Sequence, residues 1–410
     1  MPQLNKTILF KDLYHLSFYL LAFTLPFSIQ LNSFFIILLF VLSFYKRELY
    51  KNLKGINQRL FILLTSFYLI QVVGLLYSEN IQSGLFHLEV KLGFLAFPLI
   101  FLNAPVKHAY IRNMQLVFVT SVLLSCLFTS LGIFYVNKMQ GFEFNSTNQW
   151  YYSYTNLGNI LRFHPIYFSL YVSFSILILF YYFKNFSSFY KTISIVIFLF
   201  LTMFLLQLSA RMQVFALTLI FLGVIFYWFL KRKKILLALA STTMFFLGLI
   251  FFINQFPILK ERLLGTFKLG GNEITDKWNM DARLIKWKCG AEIIRNNFAL
   301  GVGTGDAQIE LQKCYVSINS EEHIINKYNA HNQYIQTFIA NGIVGFLILI
   351  GILIAGLFIS YKFKSFLFFS FLFLFIFACF TESTLSVQKG VVFFSFYSSV
   401  FAFSFYNLKE

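Results

Sequence analysis

Long apolar runs recur along the whole chain, and they constrain its fold more than any other feature. A helix needs roughly 20 apolar residues to cross the hydrocarbon core of a bilayer. Twelve runs reach or approach that length, at 12–28, 29–45, 60–77, 92–103, 114–137, 165–183, 190–208, 212–230, 235–253, 334–359, 365–380 and 390–406. The pattern predicts an all-α, polytopic membrane protein with about twelve transmembrane helices.

Composition excludes a soluble fold and argues against nucleic-acid binding. The 410 residues are 58% hydrophobic and 12% charged, against roughly 25% charged in soluble domains. Membrane lipids are therefore the expected partners of the apolar surface. The net charge of +17 comes from basic residues in short clusters between the apolar runs, which is typical of membrane topology signals rather than of nucleic-acid binding.

The ends of the first and fourth runs need separate interpretation. The first run follows Lys6 and Lys11 without a small-residue cleavage site, so we interpret it as a retained signal anchor. The fourth run, 92–103, is short for a span. It is tilted, re-entrant or extended by the amphipathic stretch from Ile81 to Lys91.

Basic residues predict the orientation of the chain. With a cytoplasmic N-terminus, the cytoplasmic loops and termini carry 18 basic and 3 acidic residues, while the opposite side carries 15 and 13. This asymmetry predicts a bacterial inner-membrane protein with both termini in the cytoplasm. The two longest polar segments, 138–164 and 254–333, then face the periplasm. Loops of that length are usually functional.

The same reasoning predicts three parts of the chain. Residues 1–253 hold spans 1 to 9, residues 254–333 form a periplasmic catalytic loop, and residues 334–410 hold spans 10 to 12. Helical pieces are expected in that loop from Asp281 to Asn296 and from Thr304 to Val316. Cys289 and Cys314 share the loop, so an oxidising compartment permits a disulfide, although spacing alone does not show one.

Arg211 is the first candidate for chemistry. It follows Ser209 and Ala210 in a tight turn and begins a helix, with Ser209 expected as the N-cap. A guanidinium beside the positive end of a helix dipole suits phosphate. The alternative is an interfacial anchor that reaches lipid headgroups.

The run from Asp281 to Lys288 is the second candidate. Arg283 would form a phosphate clamp there, and Lys288 would bind substrate. A solvated face of a basic helix is the competing interpretation, because charge runs usually have that role.

His331 is the third candidate. It lies just before a span, where the helix dipole favours the neutral imidazole that accepts a proton. Asn332 and Tyr334 follow it as substrate-binding candidates. A lone histidine is more often structural than catalytic, so this alternative stays open.

Weaker substrate-binding candidates are Arg162 and His164, at the end of the first long loop, and Lys91, at the mouth of the fourth span. The aromatic residues 150–154 fit an interfacial belt better than a sugar-stacking site. The sequence has no metal-ligand motif and no nucleotide-binding loop, so neither a metal nor a cofactor is implied.

Several of these residues resemble the O-antigen ligase and O-antigen polymerase superfamily. The strongest match is His331-Asn332, then nine residues, Gly342, two residues and Gly345. Further elements similar to the family are Leu300 to Gly305, Ser209 to Arg211 and His164 to Tyr167.

The resemblance implies transfer of a glycan from an undecaprenyl-pyrophosphate-linked donor to an acceptor hydroxyl in the periplasm. His331, Arg211 and Arg283 are then expected to converge on one site. Lipid A core as acceptor makes the enzyme an O-antigen ligase, the favoured interpretation, and a growing polysaccharide makes it a polymerase. A protein acceptor or a flippase-type transporter are the remaining alternatives. Transport is disfavoured because the unusual polar residues concentrate at the rim of the membrane.

Overall fold

The structure, a computed structural model, describes residues 2–44, 56–145, 148–255, 260–261 and 280–404. Of the residues in these ranges 83% are helical, and no strand occurs among them. The predicted loop residues 256–259 and 262–279 lie outside the described part. In chain order the α-helices are α1 (Pro2–Thr24), α2 (Ile29–Phe44), α3 (Ile56–Leu76), α4 (Ile81–Lys91), α5 (Gly93–Asn103), α6 (His108–Met139), α7 (Tyr154–Asn159), α8 (Pro165–Tyr182), α9 (Ser188–Gln207), α10 (Arg211–Lys231), α11 (Ile235–Asn254), α12 (Met280–Asn296), α13 (Ala307–Ser317), α14 (Glu321–Ile325), α15 (Gln333–Lys362), α16 (Phe366–Thr381) and α17 (Gln388–Ser404).

The apolar helices confirm an all-α, polytopic membrane protein. Within the described ranges, seven helical segments are long and apolar enough to span a membrane: Gln58–Leu76, Ile81–Asn103, His108–Met139, Pro165–Asn185, Ser188–Gln207, Arg211–Lys231 and Gln333–Lys362. Three shorter apolar helices are Ile29–Phe44, Ile235–Gly248 and Phe366–Thr381. The first and last predicted runs fall largely within α1 and α17.

In the structure, the short fourth run is extended at its N-terminal end by the preceding helix. Helices α4 and α5 follow one another through Leu92, whose φ of −55° and ψ of −25° keep the chain helical. Together they form the candidate span Ile81–Asn103. The amphipathic stretch before the run therefore supplies the missing length.

The chain divides into two compact units. The first comprises residues 1–121 and 283–410, and the second comprises residues 122–282. Phenylalanine fills the interior of the first unit: Phe396 of α17 packs against Phe97 and Phe101 of α5, and Phe18 of α1 contacts Phe101. Such ring pairs add stabilisation beyond the apolar area that they bury.

The second unit is built around α8, which is buried along most of its length. Pro165 begins this helix, a position where the missing N–H of proline costs nothing. Helix α8 packs against α9 and α10, and α10 packs against α11. An apolar cavity of about 370 Å³ lies between α9 and α10.

Helix α15 is broken at Gly342, where φ is 62° and ψ is −161°. The break frees backbone groups, and the loop after α12 binds them. Val302 N donates to Ile339 O at 2.8 Å, Gly303 N donates to Ala340 O at 3.0 Å, and Ile343 N donates to Phe298 O at 2.9 Å. We call this arrangement of residues 298–303 and 339–343 the glycine clamp.

The glycine clamp requires glycine for steric reasons. A Cβ at Gly342 would overlap the carbonyl oxygen of Ala299, and the positive φ is itself unfavourable for other residues. A Cβ at Gly301, whose φ is 74°, would lie 2.6 Å from both Gly342 N and Ile339 O. The two glycines therefore allow the two backbones to touch.

The expected helical pieces of the long polar segment are present as α12 and α13. A disulfide joins Cys289 of α12 to Cys314 of α13, so the bridge that the sequence left open is formed. Around it lies an apolar cluster of Cys289, Ile293, Ala307, Leu311, Tyr315, Ala330, Ile339 and Ala340. Covalent and apolar contacts together fix this segment on the first turns of α15.

Candidate active site

His331 lies immediately before α15 in a conformation that its neighbours maintain. Its φ is 44°, a left-handed value that costs a residue other than glycine about 1–3 kcal/mol. Asn332, in extended conformation, is the N-cap, and its Oδ1 accepts hydrogen bonds from Tyr334 N and Ile335 N at 2.9 and 3.1 Å. His331 N donates to Asn329 Oδ1 at 2.9 Å. The asparagines on either side thus set the position of the imidazole.

Glu382 is the partner of His331, and our sequence reasoning missed it. Its Oε2 lies 3.1 Å from His331 Nδ1, and its Oε1 accepts a hydrogen bond from Ser383 N at 3.1 Å. Glu382 is buried, while the imidazole of His331 is 27% exposed. A signal was present: Glu382 is the only acidic residue between Glu322 and Glu410.

The pair resembles the base and orienting group of many enzymes. When Nδ1 carries the proton and donates a hydrogen bond to Glu382, Nε2 is the nitrogen that accepts a proton from substrate. A buried carboxylate also stabilises the imidazolium that forms during such a transfer. We name His331 and Glu382 the histidine centre.

Side chains join the segment around His331 to the end of α16. Gln333 Oε1 accepts from Leu385 N at 2.6 Å, and Ser383 Oγ donates to Asn329 Oδ1 at 3.3 Å. Asn332 Nδ2 donates to Phe380 O at 3.3 Å, and Tyr334 Oη donates to Ile376 O at 3.1 Å. Asn332 and Tyr334 therefore support the histidine centre structurally. Substrate binding by these two residues stays a prediction.

Helix α12 presents Lys286 near the histidine centre, while substrate binding by Lys288 stays a prediction. Lys288 is exposed, whereas Lys286 is buried and holds its Nζ 3.8 Å from the centre of the Tyr328 ring. Tyr328 also makes an edge contact with His331, at 5.4 Å between ring centres and 80° between ring planes. The structure thus brings Lys286, Tyr328 and His331 together.

Charged residues around Lys286 shift its pKa in both directions. Burial lowers the pKa of Lys286 to about 8, since desolvation disfavours the charged amine. Glu382 and Glu322 raise that pKa, and Arg283, one helical turn earlier on α12, lowers it. Arg283 thus lies within electrostatic reach of the same amine.

Lys91 occupies a different, buried network in the first unit. Its Nζ donates to Gln71 Oε1 at 2.6 Å, and Gln71 Nε2 donates to Asn341 Oδ1. Asn341 Nδ2 donates to Thr304 Oγ1 at 3.3 Å, next to the glycine clamp. Because Lys91 is buried, the visible role of its amine is to join α3, α4 and α15. Its assignment to substrate binding stays a prediction.

The second unit carries the other three candidates. Arg211 is the first residue of α10 and is half-buried, but Ala210 rather than Ser209 is the N-cap. The N-cap expectation for Ser209 was wrong, because its φ is 51° and its hydroxyl donates to Leu206 O at 3.3 Å, at the end of α9. Arg162 and His164 are exposed just before α8. Convergence of Arg211 with Arg283 and His331 stays a prediction.

Residues 193–350 match the family model described as O-antigen ligase. This stretch contains Arg211, the glycine clamp, α12 and His331, and the match confirms the resemblance to the O-antigen ligase and polymerase superfamily. No curated protein matches the chain. The family indicates a glycosyltransferase-like membrane enzyme of the ligase or polymerase type, acting on lipid-linked glycans and polysaccharides.

Proposed function

We propose that the protein transfers a glycan from a lipid-pyrophosphate donor to an acceptor hydroxyl. One observation carries the proposal: the imidazole of His331, held by the buried carboxylate of Glu382, stands beside Lys286 of α12, and both His331 and α12 lie within the residues that match the O-antigen ligase family. A base and a phosphate-binding cation are what this transfer needs.

The reaction proceeds by displacement at the anomeric carbon. The acceptor oxygen forms a bond to that carbon while the bond from carbon to phosphate oxygen breaks, and the lipid pyrophosphate leaves with the electron pair. The proton of the acceptor hydroxyl goes to Nε2 of His331. Glu382 binds Nδ1, the other ring nitrogen, and stabilises the charged form of the imidazole.

Cationic side chains stabilise the departing pyrophosphate in this proposal. Arg283 lies on α12, and Arg211 begins α10, where helix N–H groups favour anions. A guanidinium binds phosphate through two parallel hydrogen bonds. Because the protein supplies these charges, we expect transfer to persist in EDTA.

Undecaprenyl pyrophosphate is the proposed lipid carrier, and the periplasmic face of the inner membrane is the proposed site of reaction. The charge asymmetry of the loops supports that orientation. Lipid A core is the proposed acceptor, which makes the enzyme an O-antigen ligase. A polymerase, in which the growing polysaccharide accepts the next repeat, remains the second candidate because the family includes both.

Reconstitution of the purified protein in nanodiscs tests the proposal. Wild-type protein receives an undecaprenyl-pyrophosphate-linked glycan together with either lipid A core or no second substrate. Product on lipid A core supports a ligase, and longer lipid-linked glycans without it support a polymerase. Absence of both products, with protein that is folded and oxidised, would refute the proposed function.

A further inference from the structure

Helix α12 has a buried face that contains one unexpected residue. Lys286, Cys289, Gly290 and Ile293 are buried at the spacing of one helix face. Cys289 and Ile293 belong to the apolar cluster, and Gly290 packs against Ile335 of α15. Lys286 therefore occupies a position of the stripe where an apolar side chain is the rule. Burying a charged amine without a carboxylate partner is unfavourable, so its presence calls for a function.

The surroundings of Lys286 leave its amine available to an anion. Among the described residues, no carboxylate forms an ion pair with it, and its contact is the face of Tyr328 at 3.8 Å. An aromatic face attracts a cation but accepts no strong hydrogen bond from its N–H groups. The carboxylates that act on it from a distance are Glu382 and Glu322.

Trp287, the next residue of α12, carries a second N–H donor. Its indole Nε1 is buried, and no hydrogen-bond acceptor for it occurs in the part of the chain that the structure describes. Buried N–H groups without partners are rare in folded proteins and often await a ligand or water. Lys286 and Trp287 thus both carry N–H groups that have no strong hydrogen-bond acceptor among the described residues.

We propose that Lys286 is a phosphate-binding residue for the lipid-pyrophosphate donor, placed one aromatic ring away from His331. The inference rests on the proposed function and deepens it. Lys288, two residues further along the helix, is exposed, whereas Lys286 is buried. The amine holds negative charge on the pyrophosphate as the bond to the anomeric carbon breaks.

The charge of Lys286 gives the proposal a pH signature. Burial lowers the pKa of Lys286 to about 8, with Glu382, Arg283 and Glu322 as the charged groups that modify it. The ring of Tyr328 lies against the amine, and the imidazole of His331 contacts that ring. The amine is charged below that pKa and loses its charge as pH rises through it. Phosphate stabilisation by Lys286 should therefore decline above about pH 8.

Four variants in nanodiscs test this: Lys286→Met, Lys286→Arg, Lys313→Met and Lys313→Arg. Lys313 is an exposed lysine of α13 and serves as the control. Transfer from the undecaprenyl-pyrophosphate-linked glycan is measured from about pH 6 to 10. We expect Lys286→Met to lower kcat/KM about 10- to 100-fold at pH 7, as for loss of one charged contact in a transition state. Lys286→Arg stays charged throughout and should abolish the decline above pH 8. Both Lys313 variants should match the wild type.

Binding of undecaprenyl pyrophosphate alone, followed by tryptophan fluorescence, separates the two proposals. Weaker binding in Lys286→Met, with normal binding in Lys313→Met, supports the inference even if the wild type transfers no glycan. Equal binding and equal pH profiles in the Lys286 and Lys313 variants would overturn it, as would a decline above pH 8 that persists in Lys286→Arg. If Lys286→Met does not fold, Lys286→Arg provides the decisive profile.

Discussion

The two ends of the His331-to-Gly345 signature do different work. At its beginning, the histidine centre is held by side chains: Glu382 binds the imidazole and Asn332 caps α15. At Gly342, the glycine clamp is held by backbone hydrogen bonds between two chain segments. One short signature therefore contains both the proposed reaction centre and the backbone contacts that support it. Activity and stability should separate when each end is changed.

Gly342→Ala should have the largest effect, because it disrupts the backbone contacts of the glycine clamp. The added Cβ would overlap Ala299 O at a backbone φ that alanine disfavours, so we expect loss of folded protein. Size-exclusion chromatography and thermal unfolding in detergent measure this. Gly223→Ala is the matched control, since nothing lies within 4 Å of its added Cβ. An equally stable Gly342→Ala protein would show that the clamp is dispensable.

His331→Ala should remove activity while sparing the fold. Loss of a general base lowers kcat by about 10²–10⁴-fold, whereas His331 contributes no cap to α15. Transfer assays and unfolding curves on the same preparation compare the two properties. His108→Ala, an exposed histidine at the start of α6, serves as control. Retention of wild-type kcat would remove His331 from the mechanism.

Glu382→Gln should have a smaller effect on rate than loss of the histidine. The amide keeps an acceptor for His331 but removes the negative charge that stabilises the imidazolium, so kcat should fall about tenfold or more, equivalent to about 1.4 kcal/mol. KM for the donor should stay near its wild-type value. Glu321→Gln, which changes an exposed carboxylate, is the control. An unchanged kcat would mean that the carboxylate acts only in packing.

The Cys289–Cys314 disulfide should affect stability rather than chemistry. Closing a loop of 25 residues contributes about 3 kcal/mol in the chain-entropy description. Reductant should therefore lower the melting temperature of the wild type by several degrees and leave a Cys289→Ser, Cys314→Ser protein unchanged. A wild-type melting curve insensitive to reductant would contradict this role, provided that thiol labelling confirms complete reduction.

Several features of the site could be predicted because they depend on near neighbours in the chain. Asparagine before a span predicts an N-cap, and Asn332 has that role. The helical pieces α12 and α13 also follow from their own residues. Ser209 shows where this reasoning fails. It lies between α9 and α10, and its hydroxyl donates to Leu206 O at the end of α9 instead of capping α10.

The residues alone are enough to predict an all-α membrane protein, because the length of an apolar run that spans a bilayer is a local property of the chain. They also place His331 just before a span. The contact of Glu382 with His331, 51 residues apart in the chain, and the burial of Lys286 rather than Lys288 become visible only in the folded protein. Partners across different helices depend on how helices pack and rotate, which no single segment specifies.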